Sequence, residues 1–327
     1  MSRKKYGISE LAFKIIDASE SIEGFKYDES TITAKNENTF KNITKELVVD
    51  FLECPDTKVY AVKSNSGNYE LVAHNSVSNE AIKILGMGDH FVALVNTVIE
   101  AQKRVADPTL PKITHKFIKS VNEQILLYRS GEAAIGSYRY EDFWGRPLNV
   151  SISAIIHGRL VRQSCFNTEN SEDKNVFKKM DELVSWVNNE AFKDEDTIMN
   201  DIARFHSSFI RIHPFRDGNG RTARLLTNYL LLINGYPLVN ISSKNRDQYL
   251  YGINYAEAPT DADFCKDEEY KRVYELFTKK YGKRDDITKY LPLADCFKQN
   301  TLDSSNAIIE DIINYKDKPV NIQSTQL

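Results

Sequence analysis

The chain has 327 residues, of which 41% are hydrophobic and 27% charged, a composition typical of a globular protein with a core of its own. A formal net charge of −3 and a pI near 6.1 exclude a broadly basic surface, so we expect no nucleic-acid partner. Residues 1–25 contain only short apolar runs, which predicts neither a signal peptide nor a membrane contact and favours a cytoplasmic location.

The first predicted region is residues 1–111, which contains one helix and a small β element. Apolar side chains recur at helical spacing over about residues 8–24, and a glycine ends the run, which predicts an amphipathic helix. Residues 57–74 alternate apolar and polar side chains on either side of Ser-Gly-Asn, as the two strands of a hairpin do. No pattern in this region indicates chemistry without further context.

The second predicted region, residues 112–260, is mainly helical. Helical spacing of apolar residues extends over 176–187 and 198–212, and the second of these helices leads directly to His213. A strongly helical segment follows and ends before Gly235. These helices form the predicted core of the molecule.

Two further segments complete this organisation. Residues 150–166 have the alternation of a β-hairpin that turns at His157-Gly158. The third region, residues 261–327, is charged and mostly helical in character, which predicts a small appendage or tail. The fold class predicted from these patterns is mainly α, with a small β-hairpin at 150–166 and a small β element in the first region.

Residues 213–224 read HPFRDGNGRTAR and join the two strongest predicted helices. Gly-Asn-Gly precedes the second helix, where backbone N–H groups and the positive end of the helix dipole bind anions and where glycine allows a phosphate to approach closely. Arg221 and Arg224 lie on one face of that helix, where they can bind further phosphate oxygens. The pattern therefore predicts a site for a diphosphate or triphosphate.

Two more residues of this segment indicate a reaction. Asp217 is an anion beside a predicted phosphate site, an arrangement that favours a bound divalent cation such as Mg²⁺. His213 follows the preceding helix and can accept a proton from an incoming hydroxyl group. Each residue alone is as well explained by a turn or a solvated face. Together they predict attack of a hydroxyl group on a nucleotide phosphate.

The segment from His213 to Arg224 resembles the signature of the Fic family, His-x-Phe-x-Asp/Glu-Gly-Asn-Gly-Arg-x-x-Arg, at every defined position. Weaker resemblance extends from about Asn96 to Ala258. The resemblance implies a mainly helical core that transfers AMP from ATP to a hydroxyl side chain of a target protein. It also implies that the 150–166 hairpin is a flap that aligns the target by strand addition.

The same resemblance implies a role for each residue of the signature. His213 is the general base and Asp217 binds Mg²⁺. Arg224 contacts the terminal phosphate of ATP. The remaining residues form the phosphate cradle: Gly218, Asn219, Gly220 and Arg221.

A second pattern is similar to the inhibitory motif of the family, Ser/Thr-x-x-x-Glu-Gly/Asn. Ser19 and Glu23, with Gly24, match it on the predicted amino-terminal helix, where the first two share a face. The resemblance implies that Glu23 pairs with Arg224 and displaces the terminal phosphate. The chain would then be an autoinhibited enzyme that carries its inhibitory segment in cis.

The nucleobase pocket and the partners are less closely defined by the sequence. The resemblance assigns Tyr249 and Leu250 to the base pocket, and Glu257 stands where some relatives have asparagine, so nucleotide preference stays open. The target is a protein with a Ser, Thr or Tyr hydroxyl, or the chain itself, and a homo-oligomer stays open. The alternatives are transfer of another nucleotide, removal of AMP, and a nucleotide-binding regulator without turnover.

Overall fold

The computed structural model describes residues 19, 61–63, 69–71, 79–126, 136–139, 151–156, 159–164, 176–265 and 267–301. Its helices are α1 (Asn79–Ala106), α2 (His115–Leu126), α3 (Val176–Asn189), α4 (Ile198–Ile212), α5 (Asn219–Ile233), α6 (Arg246–Glu257), α7 (Asp261–Phe264), α8 (Glu268–Tyr281) and α9 (Leu291–Gln299). Short 3₁₀ turns at Glu195–Thr197, Ser243–Asn245 and Thr288–Tyr290 precede α4, α6 and α9. The prediction of a mainly α-helical fold is confirmed in this part of the chain.

Two antiparallel strand pairs accompany the helices. The pair β1 (Ala61–Lys63) and β2 (Tyr69–Leu71) falls within the hairpin predicted at 57–74. The pair β3 (Ser151–Ile156) and β4 (Arg159–Ser164) falls within the segment predicted at 150–166, with Ser151 opposite Ser164. The predicted turn between β3 and β4 lies outside the described residues.

Helix α5 is the centre of the molecule. Every residue from Arg221 to Leu231 is buried, because α1, α2 and α4 all pack against it. A helix that is buried on all sides carries mostly apolar side chains, as in LLTNYLLL, and its buried polar residues Thr227 and Asn228 are hydrogen-bonded. The helix ends at Ile233, and Gly235, which follows its C-cap, has a φ of +77°, the left-handed conformation that glycine adopts without strain. Because Arg221 and Thr222 are buried, the core holds the first turn of α5 in place.

The core extends beyond the predicted second region in both directions. Helix α1, from the predicted first region, packs against α2 and α5. Helix α9, from the predicted third region, packs against α4 and α6, and its Leu293 and Phe297 are fully buried. Burial of each such side chain stabilises the fold by roughly 1.5–3 kcal/mol. By its packing, α9 belongs to the core.

A second, smaller aromatic cluster joins α6 to α7 and α8. Its buried members are Tyr251, Tyr255, Ala258, Phe264 and Tyr270. The helices of the described residues include none with the length and apolar character needed to cross a bilayer.

Candidate functional site

The loop between α4 and α5 begins at a strained residue. His213 ends α4 with φ +52° and ψ +59°, the left-handed conformation, and its N–H donates to the carbonyl of Phe209 at 2.9 Å. This conformation is disfavoured for residues with a side chain and persists only where the surroundings hold it. The backbone reverses at His213, so the imidazole lies at the entrance of the loop and not on the face of α4.

Arg139 holds the backbone of this turn. Its Nε donates to the carbonyl of His213 at 2.7 Å and its Nη2 to the carbonyl of Ile212 at 3.2 Å. Its own backbone N–H donates to the carbonyl of Pro214 at 2.7 Å. Sequence reasoning missed this role, because an arginine is normally exposed and nothing in the sequence marks this one, which is 1% exposed, as buried.

The middle of the loop is anchored by Phe215 and closed by Asn219. The ring of Phe215 is 1% exposed and packs against the rings of Tyr138 and Phe209, at centroid distances of 5.3 and 6.2 Å. The side-chain amide of Asn219 accepts from the N–H of Phe215 at 2.9 Å and donates to its carbonyl at 2.8 Å. The side chain of Asn219 thus shapes the loop, and only its backbone N–H is oriented for a ligand.

Gly218 caps the amino terminus of α5 in the left-handed conformation, with φ +75°. The first bond of the helix runs from the N–H of Thr222 to the carbonyl of Gly218 at 2.8 Å. The N–H groups of the three preceding residues, Asn219 to Arg221, therefore have no acceptor within the helix and point along its axis. Together with the helix dipole, they are the groups that the sequence predicts to bind an anion.

Asp217 and Arg221 border this site. The carboxylate of Asp217 is 63% exposed, accepts from the N–H of Gly218 at 2.6 Å and lies 3.3 Å from Arg221. One accessible carboxylate beside a phosphate-binding helix terminus fits Mg²⁺, which takes one or two protein oxygens and completes its shell with phosphate and water. The guanidinium of Arg221 is only 3% exposed and is fixed in the wall of the site.

Arg224, one turn further along α5, contacts the amino-terminal segment. Its Nε donates to the hydroxyl of Ser19 and its Nη2 to the carbonyl of Ser19, both at 2.8 Å. Ser19 is helical and 5% exposed. Both residues line a partly open pocket, together with His90 and His206. The predicted partner of Arg224, Glu23, lies outside the described residues.

The predicted nucleobase residues occupy different environments. Tyr249 is 2% exposed, and its hydroxyl lies 2.8 Å from Nε2 of His206, inside the core. Leu250 is half-buried and packs against both apolar clusters. Burial raises the pKa of the Glu257 carboxyl, while a hydrogen bond with Ser207 and the charge of Arg211 oppose that shift.

His206 joins three helices and is not part of the loop. Its Nδ1 lies 2.7 Å from the hydroxyl of Thr227, which itself donates to the carbonyl of Ala223 at 2.9 Å. Nδ1 therefore carries the hydrogen, and Nε2 accepts from Tyr249. Burial, and then the charge of Arg224, lower the pKa of His206 to about 3. This residue is a core histidine with a hydrogen-bond partner on each ring nitrogen.

The region that contains this loop is similar to known proteins. The Fic/DOC family model matches residues 112–231. The chain is similar to a probable protein adenylyltransferase of Aquifex aeolicus (strain VF5), with 43% identity over 75 residues, which are 23% of this chain and 22% of the relative. It is also similar to a protein adenylyltransferase of Caenorhabditis elegans, with 36% identity over 81 residues, which are 25% of this chain and 16% of the relative.

A solved structure resembles almost the whole chain. The Fic domain containing signaling protein of Bacteroides thetaiotaomicron VPI-5482 aligns with a TM-score of 0.54 and 23% identity, over 93% of this chain and 88% of that one. At this identity the likeness concerns the fold. The sequence matches are local, since they span less than a quarter of either curated relative.

Proposed function

Residues 112–231 carry a Fic/DOC family domain, and from that premise we propose that the chain is a Mg²⁺-dependent protein adenylyltransferase. In the proposed reaction the imidazole of His213 takes the proton from a Ser, Thr or Tyr hydroxyl of a target protein or of the chain itself. The hydroxyl oxygen bonds to the α-phosphorus of ATP, the bond from that phosphorus to the bridging oxygen breaks, and pyrophosphate leaves. The observation that carries this proposal is the loop from His213 to Gly218, which brings a base, a carboxylate and a helix terminus together.

Each part of the loop has a separate task in the proposed reaction. The N–H groups of residues 219–221 and the guanidinium of Arg221 bind phosphate oxygens, and Arg224 binds the terminal phosphate. Asp217 would hold Mg²⁺, which neutralises charge on the phosphates when bound. His213 needs only to reach the target hydroxyl, because the phosphates are held by other groups.

The target is proposed to bind along the strand pair β3 and β4. A strand at the edge of a two-stranded sheet presents backbone N–H and C=O groups to which an extended peptide can add. The strands Ser151–Ile156 and Arg159–Ser164 pair only with each other among the described residues. Strand addition selects a target by backbone shape and leaves its sequence largely open.

We further propose that the amino-terminal segment inhibits the enzyme. Support comes from the two hydrogen bonds between Arg224 and Ser19, which use the same guanidinium that the terminal phosphate requires. Glu23 lies one helical turn after Ser19 in the predicted helix, so it would present its carboxylate on the same side. ATP then binds without the orientation that the attack needs.

Labelled nucleotides test the proposed reaction. The full chain carrying Glu23→Gly is incubated with Mg²⁺ and with ATP, UTP or GTP labelled at the α-phosphate, alone and with a mixture of added proteins. We expect label from ATP on protein, and a loss of about 10²- to 10⁴-fold when His213→Ala is added, because a general base contributes that much. Binding of a fluorescent ATP analogue should be unchanged by His213→Ala.

Other outcomes identify the alternatives. Label from UTP or GTP but not ATP would assign another nucleotide, and release of AMP from labelled protein would assign removal. Nucleotide binding without any labelling would leave a regulator, and full labelling by the His213→Ala protein would refute the role of the imidazole.

A further inference from the structure

The geometry of His213 raises the question of what holds it in place. A residue with φ +52° at the end of a helix is disfavoured, and the chain places its proposed base there. This backbone conformation fixes the direction of the Cα–Cβ bond, from which the imidazole extends. Without such support the turn would relax to the extended conformation that a residue before proline prefers, and the Cα–Cβ bond of His213 would point in another direction.

Three consecutive carbonyls of this turn accept hydrogen bonds from one residue. Arg139 binds the carbonyls of Ile212 and His213 through its guanidinium and that of Pro214 through its backbone N–H. The guanidinium is a planar fork with fixed donor directions, so it defines the orientation of the two peptide groups it touches. It also lies at the carboxyl end of α4, where the helix dipole favours a positive charge.

The surroundings of Arg139 limit its own movement. The residue is 1% exposed, and the neighbouring Tyr138 contacts the ring of Phe215, the anchor of the same loop. The hydroxyl of Tyr138 lies 2.9 Å from Nδ1 of His115, at the start of α2. The segment that carries Arg139 is therefore attached to α2 on one side and to the loop on the other.

We propose that Arg139 is a positioning residue for catalysis: it holds His213 in the left-handed conformation and so directs the imidazole at the target hydroxyl. The catalytic part of this inference, in which the imidazole is directed at the target hydroxyl, rests on the proposed function. Its structural part, that Arg139 fixes the backbone of His213, is independent of any activity.

The chain provides a matched control in Arg284. This arginine is also largely buried, with 10% of its side chain exposed, and it also binds carbonyls at the end of a helix. Its Nε donates to Tyr255 at 2.8 Å, and its Nη2 donates to Ala256 and Ala258 at the end of α6. Loss of the fork at Arg284 removes the same kind of contact without touching His213.

The test compares Arg139→Lys with Arg284→Lys in the full chain. Lysine keeps the charge but has no fork, so both variants should have lower melting temperatures than the wild type. Only Arg139→Lys should lower kcat for labelling, by about 10- to 100-fold, because a small displacement of a reacting group costs that much. KM for ATP should stay within about twofold, since the phosphates are held elsewhere.

Chemical rescue and spectroscopy complete the test. Guanidinium chloride at millimolar, non-denaturing concentration should restore kcat partly to Arg139→Ala and not to His213→Ala. The imidazole resonance of His213, assigned by its loss in His213→Ala, should shift in Arg139→Lys and stay in place in Arg284→Lys.

Unchanged kcat in Arg139→Lys, an equal loss of kcat in both lysine variants, or an unmoved His213 resonance would overturn the proposal. A wild-type chain without transferase activity would refute the proposed function, and the resonance would still decide whether Arg139 fixes His213.

Discussion

Asn122 connects three separate segments around the loop between α4 and α5. Its side-chain Nδ2 donates to the carbonyl of Asp217 at 2.9 Å and lies 3.2 Å from the hydroxyl of Thr222, and its Oδ1 accepts from the N–H of Gly136 at 3.2 Å. The residue is 1% exposed, so loss of the amide would leave buried polar groups without partners. The side chain of Asn122, on α2, thus fixes the position of the loop relative to the amino terminus of α5.

Asn122 and its neighbours leave no room for a side chain at Gly218. A Cβ atom at Gly218 would lie 3.0 Å from Nδ2 of Asn122 and 3.3 Å from both terminal methyls of Leu126, whereas a Cβ at Gly235 would meet nothing within 4 Å. Both glycines have positive φ, +75° and +77°. Gly235→Ala should therefore cost only the backbone strain, about 1–2 kcal/mol, and Gly218→Ala should cost about 1–3 kcal/mol more through crowding.

Urea unfolding of the two alanine variants measures this difference in stability. Binding of a fluorescent ATP analogue measures the affinity of the site for nucleotide. Gly218→Ala should also weaken nucleotide binding, because the crowded loop can no longer present the N–H groups of α5. Equal stabilities for the two variants would show that the loop adapts and that the contacts of Gly218 do not matter.

The site residues that could be predicted from the sequence are those whose role is indicated by their immediate neighbours in the sequence. His213, Asp217 and Gly218 are specified by a short motif, and the structure places all three in one loop. Arg139 and Asn122 could not be found in the same way, because their role depends on burial against a loop about 75 and 95 residues away. Asn219 was predicted as a ligand residue, and the closure of the loop by its side chain is visible only in three dimensions.

At the scale of elements, His206 ties α4 to α5 and α6 by hydrogen bonds in a fully buried position. A buried hydrogen-bond network of this kind is stable only when every polar group in it has a hydrogen-bond partner. The imidazole is held neutral, with a pKa of about 3 against an ordinary value of 6.5. Folding therefore excludes a proton that the unfolded chain binds below pH 6.5.

This difference predicts a loss of stability in acid. The folded pKa is depressed, so the contribution of the neutral imidazole is complete above pH 6.5 and declines as the pH falls towards 3. Between pH 7 and pH 5 the wild type should lose about 2 kcal/mol from this residue alone. His206→Gln keeps a donor and an acceptor without titrating, so its loss over the same range should be smaller by that amount.

Urea unfolding midpoints of both proteins at the two pH values give the comparison. Parallel pH dependence of wild type and variant would mean that His206 is not neutral in the fold or that it titrates alike in both states.

Helices could be predicted from the sequence where apolar residues recur at a single helical spacing. The spacing over 198–212 matches α4 to the residue, and the strong apolar run matches α5 apart from its first turn. The places of α1 and α9 in the core could not be predicted, since the apolar face of a helix does not state which helix it meets. Packing against α5 and α6 decided that, at long separation in sequence.

At the scale of the whole molecule, the contact of Ser19 with Arg224 links residues 205 positions apart. A buried arginine that donates to both the hydroxyl and the carbonyl of one serine is held in a defined orientation. In the proposed enzyme this orientation excludes the terminal phosphate. Inhibition then depends on how firmly the amino-terminal segment binds the core.

Variants of this segment should activate the enzyme in proportion to the contacts they remove. Glu23→Gly should label faster than the wild type because it removes the predicted carboxylate. Ser19→Ala should give a smaller increase, about fivefold, since it removes one hydrogen bond of about 1 kcal/mol and leaves the carbonyl contact in place. Arg224→Ala breaks both contacts and also removes the phosphate ligand, so it should not be activated.

Rates of AMP incorporation from labelled ATP, at matched concentrations of folded protein, distinguish these cases. Equal rates for the wild type and Glu23→Gly, or activation by Arg224→Ala, would count against inhibition in cis while leaving the role of the loop intact.

The long separation of Ser19 and Arg224 also bears on the order in which the molecule is made. Translation proceeds from the amino terminus, so Ser19 leaves the ribosome 205 residues before Arg224, an interval of roughly 10–40 s at about 5–20 residues per second. The segment that contacts the arginine is therefore already synthesised when the phosphate loop first folds. In the proposed enzyme, therefore, no nascent chain has the loop complete while the inhibitory segment is still to be synthesised.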